Sequence, residues 1–274
     1  MNKNKIKFVY FVILIIYAIV TLIPFLWAIS ASCKPFSELA SGSMNFIPHH
    51  FTLMNYVQIF QAEPLFGRWI FNSFFIAVVG TILNLIFNSM AGYALARLAF
   101  KGKKPLFIII LAVMMIPGQI TMLPTFLILK EFGWLNSYQG MIIPGAINAT
   151  FIFMMRQFYL NFPKELEEAA YIDGLSKIGT FFRIVFPLSK SALAAQAIFV
   201  FMGLWNDFMR SLITLSNPTM FTLTLGLNSF KGQYVSYWNL IMASSIICIL
   251  PILLLYIFFN RYFIEGLAFT GGKE

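Results

Sequence analysis

FVYFVILIIYAIVTLIPFLWAISA, residues 8–31, runs for 24 residues without a charge. As a helix rising about 1.5 Å per residue it is longer than the roughly 30 Å of hydrocarbon in a bilayer. Lys3, Lys5 and Lys7 before it, and the small Ala28, Ser30 and Ala31 near its end, imitate a signal peptide. Its apolar core exceeds the roughly 7–15 residues of such a leader, so it reads as an uncleaved first span. Working outward, five further stretches have the same character: Trp69 to Ala96, Leu106 to Leu129, Met141 to Met155 with its flanks, Ser191 to Leu212, and Tyr237 to Tyr262. The whole composition agrees. Of 274 residues 59% are apolar and 11% charged, against about 45–50% and 25% in soluble domains, and the mean hydropathy is +0.81. The expectation is an all-α polytopic membrane protein with six transmembrane helices. A soluble enzyme, a secreted disulfide scaffold, a disordered tail and a nucleic-acid reader are excluded.

The net charge of +9 then reports topology. Fourteen of the nineteen Lys and Arg residues fall on one side of the six spans. Five, namely Lys34, Arg68, Lys130, Arg210 and Lys231, fall on the other. The positive-inside rule puts both termini in the cytoplasm. Asp207 and Arg210 are expected near the outer boundary, because a charge at the bilayer centre costs about 2.5–3.5 kcal/mol on insertion scales. Residues 211–230, rich in Ser, Thr and Asn, make a poor span and read as an external loop or re-entrant segment. The external stretch from Ser32 to Arg68, with Pro35, Pro48 and Pro64 among aromatics, reads as a structured cap. His49 and His50 within it read as a solvated pair, since metal ligands come in clusters and no neighbouring carboxylate or thiol is evident. Cys33 and Cys248 lie in different apolar runs and read as packing residues; no metal site is expected.

One segment departs from this pattern. Residues 161–187, NFPKELEEAAYIDGLSKIGTFFRIVFP, are charged and still helical in period. Pro163 suits a first helical turn, Glu165, Glu167 and Glu168 place negative charge at the positive end of the helix, and Gly174 can supply the left-handed residue that stops it. Ser176 can cap a second helix with an apolar stripe of Ile178, Phe181, Phe182 and Val185, ended by Pro187. Small Ala169, Ala170 and Gly174 admit another backbone. Two short helices at the membrane surface make a docking device.

Glu168-Ala169-Ala170, Gly174 after three residues, Ile184 after nine more and Pro187 three further on resemble the EAA signature of permease subunits in ATP-binding cassette importers, with Phe186 where that signature usually has Leu. The runs NSFFIAVVGT, AGYALARLAFKGKK, MIPGQITMLPTF, RQFYLNFPKELEEAAYIDG, WNDFM and GLAFTGGKE are similar to the MalG-like sugar permeases over nearly the whole chain. The resemblance implies a single permease domain over residues 1–274 in the bacterial inner membrane. The loop between the fourth and fifth spans becomes a coupling helix that inserts into a cytoplasmic ATPase dimer, with Glu165, Glu168, Ala169, Ala170, Asp173, Gly174, Ile184 and Pro187 as its coupling residues. A second, MalF-like permease subunit and an extracytoplasmic solute-binding protein complete the importer. The tail Gly271, Gly272 and Lys273 is expected to reach the ATPases, and carbohydrate is the expected cargo.

No G-x-x-x-x-G-K-[ST] cradle occurs, since Leu267 stands where the first Gly of the tail would be and Glu274 follows Lys273. ATP and Mg are therefore expected on the partner ATPase and no cofactor on this chain. Neither H-E-x-x-H nor G-x-S-x-G is present, and no catalytic residue is assigned. Polar residues inside spans are candidates for solute contact, because lipid disfavours them unless they face protein or water. Gln119, beside an expected kink at Pro117 and Gly118, and Trp205, Asn206 and Asp207 are the pathway candidates. Asn84, Asn88 and Asn148 are further candidates, and for every one of these residues interhelical hydrogen bonding, with Asp207 paired to Arg210, is the favoured reading over pore lining. Two other classes remain in view: a secondary transporter or channel, which would place charged relays within the spans, and a membrane-embedded enzyme, which would cluster catalytic groups at one depth.

Overall fold

A computed structural model describes residues 3–42, 45–230 and 236–271. Lys231, Gly272 and Lys273 lie outside the described residues. Among the described residues the chain is helical and contains no extended strand. In order, the helices are α1 (Lys3–Ser32), α2 (Phe36–Ala40), α3 (Met54–Ala62), α4 (Phe66–Arg97), α5 (Lys103–Met114), α6 (Gly118–Glu131), α7 (Tyr138–Ala146) and α8 (Ala149–Leu160). There follow α9 (Lys164–Ile172), α10 (Lys177–Thr180), a π turn over Phe181–Val185, α11 (Phe186–Leu188), α12 (Lys190–Trp205), α13 (Phe208–Thr214), α14 (Leu223–Gly226) and α15 (Trp238–Gly271).

Among the described residues, three helical stretches are each long and apolar enough to cross a membrane: Lys7–Ser32, Phe66–Arg97 and Trp238–Phe259. The other expected spans are not single rods. Leu106 to Leu129 divides into α5 and α6, bent by 103°; Pro117 stands at the N-cap of α6 with extended ψ, at the kink read from the sequence. Met141 to Met155 divides between α7 and α8 at Ile147 and Asn148. The longer half, twelve residues, reaches only about 18 Å at 1.5 Å per residue. Ser191 to Leu212 is helical to Trp205, breaks at Asn206 and resumes as α13. Pro117 and Pro144 are visible in the sequence, but whether a proline stops or merely bends a helix depends on what re-satisfies the freed carbonyls.

The chain forms two units: Met1–Gly67 with Gly226–Pro251, and Arg68–Leu225 with Ile252–Glu274. In the first, the expected cap is ordered by polar contacts to the backbone. Asn55 Nδ2 donates to the carbonyls of Ser32 (2.8 Å) and Lys34 (2.7 Å), and Thr52 N–H donates to Cys33 (2.9 Å). The His49 and His50 pair is not free of carboxylate. Both backbone N–H groups donate to Glu38, at 3.1 and 3.2 Å. Burial works to raise the Glu38 pKa, but those two N–H groups, with Lys34 nearby, outweigh it and hold the carboxyl below its ordinary value.

In the second unit, the asparagines of α4 rebuild the break between α7 and α8. Asn84 Nδ2 donates to the Gly145 carbonyl (3.0 Å) and Asn88 Nδ2 to that of Ala146 (3.1 Å), while Asn148 N–H donates to Asn88 Oδ1 (2.8 Å). Gln196 of α12 reaches Asn84 Oδ1 at 2.9 Å. Such contacts contribute about 0.6–2 kcal/mol each in membrane proteins. The interhelical reading of these residues holds. At the opposite end of α4, Trp69 and Asn72 donate to the carbonyls of Pro218, Thr219 and Phe221, so the irregular stretch after α13 has its backbone satisfied by side chains.

Candidate functional site

The charged segment folds as two short helices seated on the end of α4 that carries Arg97. Pro163, extended at ψ 125°, occupies the N-cap of α9 rather than its first turn. Gly174 ends the helix with φ +80°. Its N–H donates to Tyr171 (3.1 Å) and the Leu175 N–H to Ala170 (3.0 Å), the paired bonds of a Schellman motif that satisfy carbonyls otherwise orphaned at a helix end. Ser176 Oγ accepts the Gly179 N–H at 3.1 Å and so caps α10. Pro187 does not end the second helix. It can offer no N–H to Arg183, and its ring crowds that carbonyl. The helix widens into the π turn, where Phe186 N–H donates five residues back to Phe181. The chain breaks only at Ser189, bending by 80° into α12.

What pins this device is a buried ion pair that sequence reading passed over. Arg97 Nε donates to Glu167 Oε1 at 2.6 Å, and both side chains are 8% exposed. The Tyr93 hydroxyl donates to Glu167 Oε2 at 3.1 Å. Glu167 stands three residues before Ala170, and both are buried. That three-residue step along the small face of α9 was the available signal. Below it, Tyr93, Met155, Tyr159, Phe162, Phe181 and Val185 form an aromatic-rich core. Tyr93 meets Tyr159 edge-on at 5.7 Å and Phe181 at 5.2 Å. Two members of the expected apolar stripe, Phe181 and Val185, fill this core. The other two, Ile178 and Phe182, face outward.

The sequence-derived site residues therefore divide. Ala170 is buried within the chain, so the Ala169, Ala170 and Gly174 face is not one continuous outer surface. Glu165, Glu168, Ala169, Asp173, Gly174 and Pro187 are exposed, and Ile184 is half-buried. Beside them Leu166, Ile172 and Ile178 stand in the open, Ile172 being 86% exposed. A helix whose inner face is held by a salt bridge thus presents an outer face of apolar and small side chains rimmed by carboxylates.

The pathway candidates are less united. Trp205 is buried, stacked on Phe201 at 5.8 Å with ring planes 10° apart. Asn206 is exposed in the break after α12. Asp207 caps α13 by accepting the Arg210 N–H (3.1 Å) and pairs with Arg210 Nε at 3.0 Å, while Arg210 Nη1 donates to the Met141 carbonyl at 3.3 Å. Gln119 is exposed in the first turn of α6. Gly271 closes α15; its two companions in the tail are outside the described residues.

Known proteins bear on this arrangement. The model of the family described as binding-protein-dependent transport system inner membrane component matches residues 88–268. The arabinooligosaccharides transport system permease protein AraQ of Halalkalibacterium halodurans is 40% identical over 258 residues, covering 93% of this chain and 92% of that protein. The sulfoquinovosyl glycerol transport system permease protein SmoH of Agrobacterium fabrum is 33% identical over 254 residues, 92% of this chain and 89% of that protein. In a solved bacterial ABC transporter involved in the import of the acidic polysaccharide alginate, one chain matches with a TM-score of 0.86 and 24% identity, over 96% of this chain and 98% of that one. That last likeness concerns the fold.

Proposed function

Because this chain belongs to the family of binding-protein-dependent transport system inner membrane components, we propose that it is one of the two permease subunits of an ATP-driven carbohydrate importer. In this reading it crosses the inner membrane six times, with both termini cytoplasmic. The bent α5–α6 pair makes the third span, α7 with α8 the fourth, and α12 with α13 the fifth. A second permease subunit completes the pathway. An external binding protein delivers solute, and ATP with Mg is used by a pair of cytoplasmic ATPases. Relatives named for oligosaccharide and sulfoquinovosyl glycerol transport support the cargo class.

The observation that carries the reading is α9. Its inner face is locked to α4 through Glu167 and Arg97, while Leu166, Ala169 and Ile172 are left uncovered. A charged nine-residue helix is too short to hold itself in water, so an apolar outer face at that place fits a groove on another protein. Force from ATPase closure enters at this face and passes through the ion pair to the span behind it. Ala169→Arg adds bulk and charge on an exposed position, so the permease itself should still insert and assemble. In the assembled importer the substitution is expected to lower sugar-stimulated ATP hydrolysis and uptake together by about tenfold or more, the equivalent of 1.4 kcal/mol or more of lost docking. Normal coupled hydrolysis in that assembled variant would overturn the proposal.

A further inference from the structure

Where α5 begins, two cations share one aromatic-lined face. Lys103 and Phe107 stand four apart and so lie on the same side of α5. Arg156 of α8 comes to that side: its Cζ is 3.8 Å from the centroid of the Phe107 ring, and Phe107 stacks on Phe153 of α8 at 6.2 Å with the planes 12° apart. Arg156 is close enough to Lys103 for the two charges to repel. Among the described residues neither cation pairs with a carboxylate; the ion pairs there join other residues. Two of the three Lys103 N–H donors go to the Ala96 and Leu98 carbonyls, at 3.1 and 3.0 Å, which leaves one. Arg156 donates to nothing among the described residues. Its Nε is buried and unbonded, but the side chain as a whole is only half-buried, and its two terminal nitrogens remain accessible.

Depth decides what would answer these charges. The Arg156 backbone N lies beside Gly92, 2.8 Å from where a Cβ on that glycine would stand. Gly92 precedes Arg97, the last residue of α4, by five positions, about 7.5 Å along the helix. A cation rooted there without a counter-charge is disfavoured, and its contact with the Phe107 ring offsets only part of that cost. A phosphate supplies the rest, because a guanidinium fork holds it through two parallel N–H donors while an ammonium acts as a point charge. Beside the pair, α5 has no buried residue, and Leu106 and Ile109 stand exposed. Acyl chains fit that surface, whereas a free phosphate would use the cations and leave the apolar face unused. We propose that Lys103 and Arg156 bind the headgroup phosphate of an anionic phospholipid, whose chains lie along the exposed side of α5. Basic pockets between membrane helices are suited to such headgroups. The bound lipid ties α5 to α8, the helix that leads into α9. This goes beyond the importer reading: it needs only that α4, α5 and α8 meet at a membrane surface, and it holds whatever the cargo.

The test uses the full chain, co-expressed with its partner subunits, in phosphatidylcholine nanodiscs doped with phosphatidylglycerol that bears a diazirine on one acyl chain. Nanodiscs doped with diazirine-bearing phosphatidylcholine are the reference. After photolysis, mass spectrometry should find phosphatidylglycerol adducts enriched over the reference on peptides that carry Leu106 or Ile109. Arg156→Gln and Lys103→Gln should each lower that enrichment about fivefold, the weight of one basic residue at an anionic surface, and Arg156→Lys, which keeps the charge, should retain most of it. Inorganic phosphate should displace no more label than sodium chloride at equal ionic strength. Equal labelling of the wild type by the two lipids, or enrichment unchanged in whichever Gln variant assembles, overturns the site. Enrichment lost to inorganic phosphate and not to chloride overturns the lipid as its occupant. Neither uptake nor ATP hydrolysis is read in any arm, so failure here leaves the importer reading standing.

Discussion

Glu167 and Arg97 form a salt bridge in which both side chains are 8% exposed. A pair this buried brings little net stability when complete, because desolvation offsets the attraction, but it is costly to break. Glu167→Leu leaves the Arg97 guanidinium buried beside Tyr93 without its carboxylate, and should destabilise the permease by about 3–5 kcal/mol. The double variant Arg97→Met with Glu167→Leu removes both charges and should recover most of that loss. Thermal denaturation of the purified importer checks this, and a double variant no better than the single one would deny the pair its anchoring role. Positive-inside counting had treated Arg97 as one charge among fourteen. Its partner lies 70 positions away in sequence, and no local pattern joins them.

At the scale of helices, two glycines of α4 distinguish backbone contact from side-chain contact. A Cβ on Gly92 would stand 2.8 Å from the Arg156 backbone N and 2.8 Å from Met155 Cβ, so α4 and α8 touch there nearly backbone to backbone. On Gly80 the nearest atom, at 2.5 Å, is the Leu204 Cδ1 methyl, the far end of a flexible side chain. Gly92→Ala must push two helices apart and should cost about 1–3 kcal/mol, whereas Gly80→Ala should cost less because Leu204 can change rotamer. Melting temperatures of the two variants, compared in one detergent, should rank in that order. Gly174 presents a third case, since its Cβ would meet nothing within 4 Å and only the positive φ opposes a side chain. Its role was readable from the sequence, as was the Ser176 cap, because both are local chemistry. The π turn before Pro187 was not, because the carbonyl that a proline displaces has several ways to re-pair and the packed neighbours select one.

For the molecule as a whole, the cap carries a carboxylate through which pH can act. Glu38 is held below its ordinary pKa by the N–H groups of His49 and His50, which bond the carboxylate and not the acid. A lowered folded-state pKa means stability that is present at neutral pH and lost as pH falls through that lowered value. Acidification below the usual carboxylate range should therefore lower the protection of the His49 and His50 amides relative to their intrinsic exchange rate at each pH, while Glu38→Gln should show the lower protection already at neutral pH and little further response to acid. Exchange at these amides that is unaffected by either change would remove Glu38 from the ordering of the cap. By itself the sequence determined a helical membrane protein, and it carried the signature on which the proposed coupling loop rests. Hydrophobic run length, cap residues and an ordered signature are all written within a few tens of residues. Only the tertiary structure decided that the expected kink in the third span is a bend of 103°, that the fourth and fifth expected spans are broken, that Ala170 turns inward while Ala169 stays outside, and that Asn239 keeps an oxygen unanswered among the described residues. The break between α7 and α8 and the inward turn of α9 depend on side chains distant in sequence, Asn84 and Asn88 in the one and Arg97 in the other, and that pairing is fixed by packing in three dimensions.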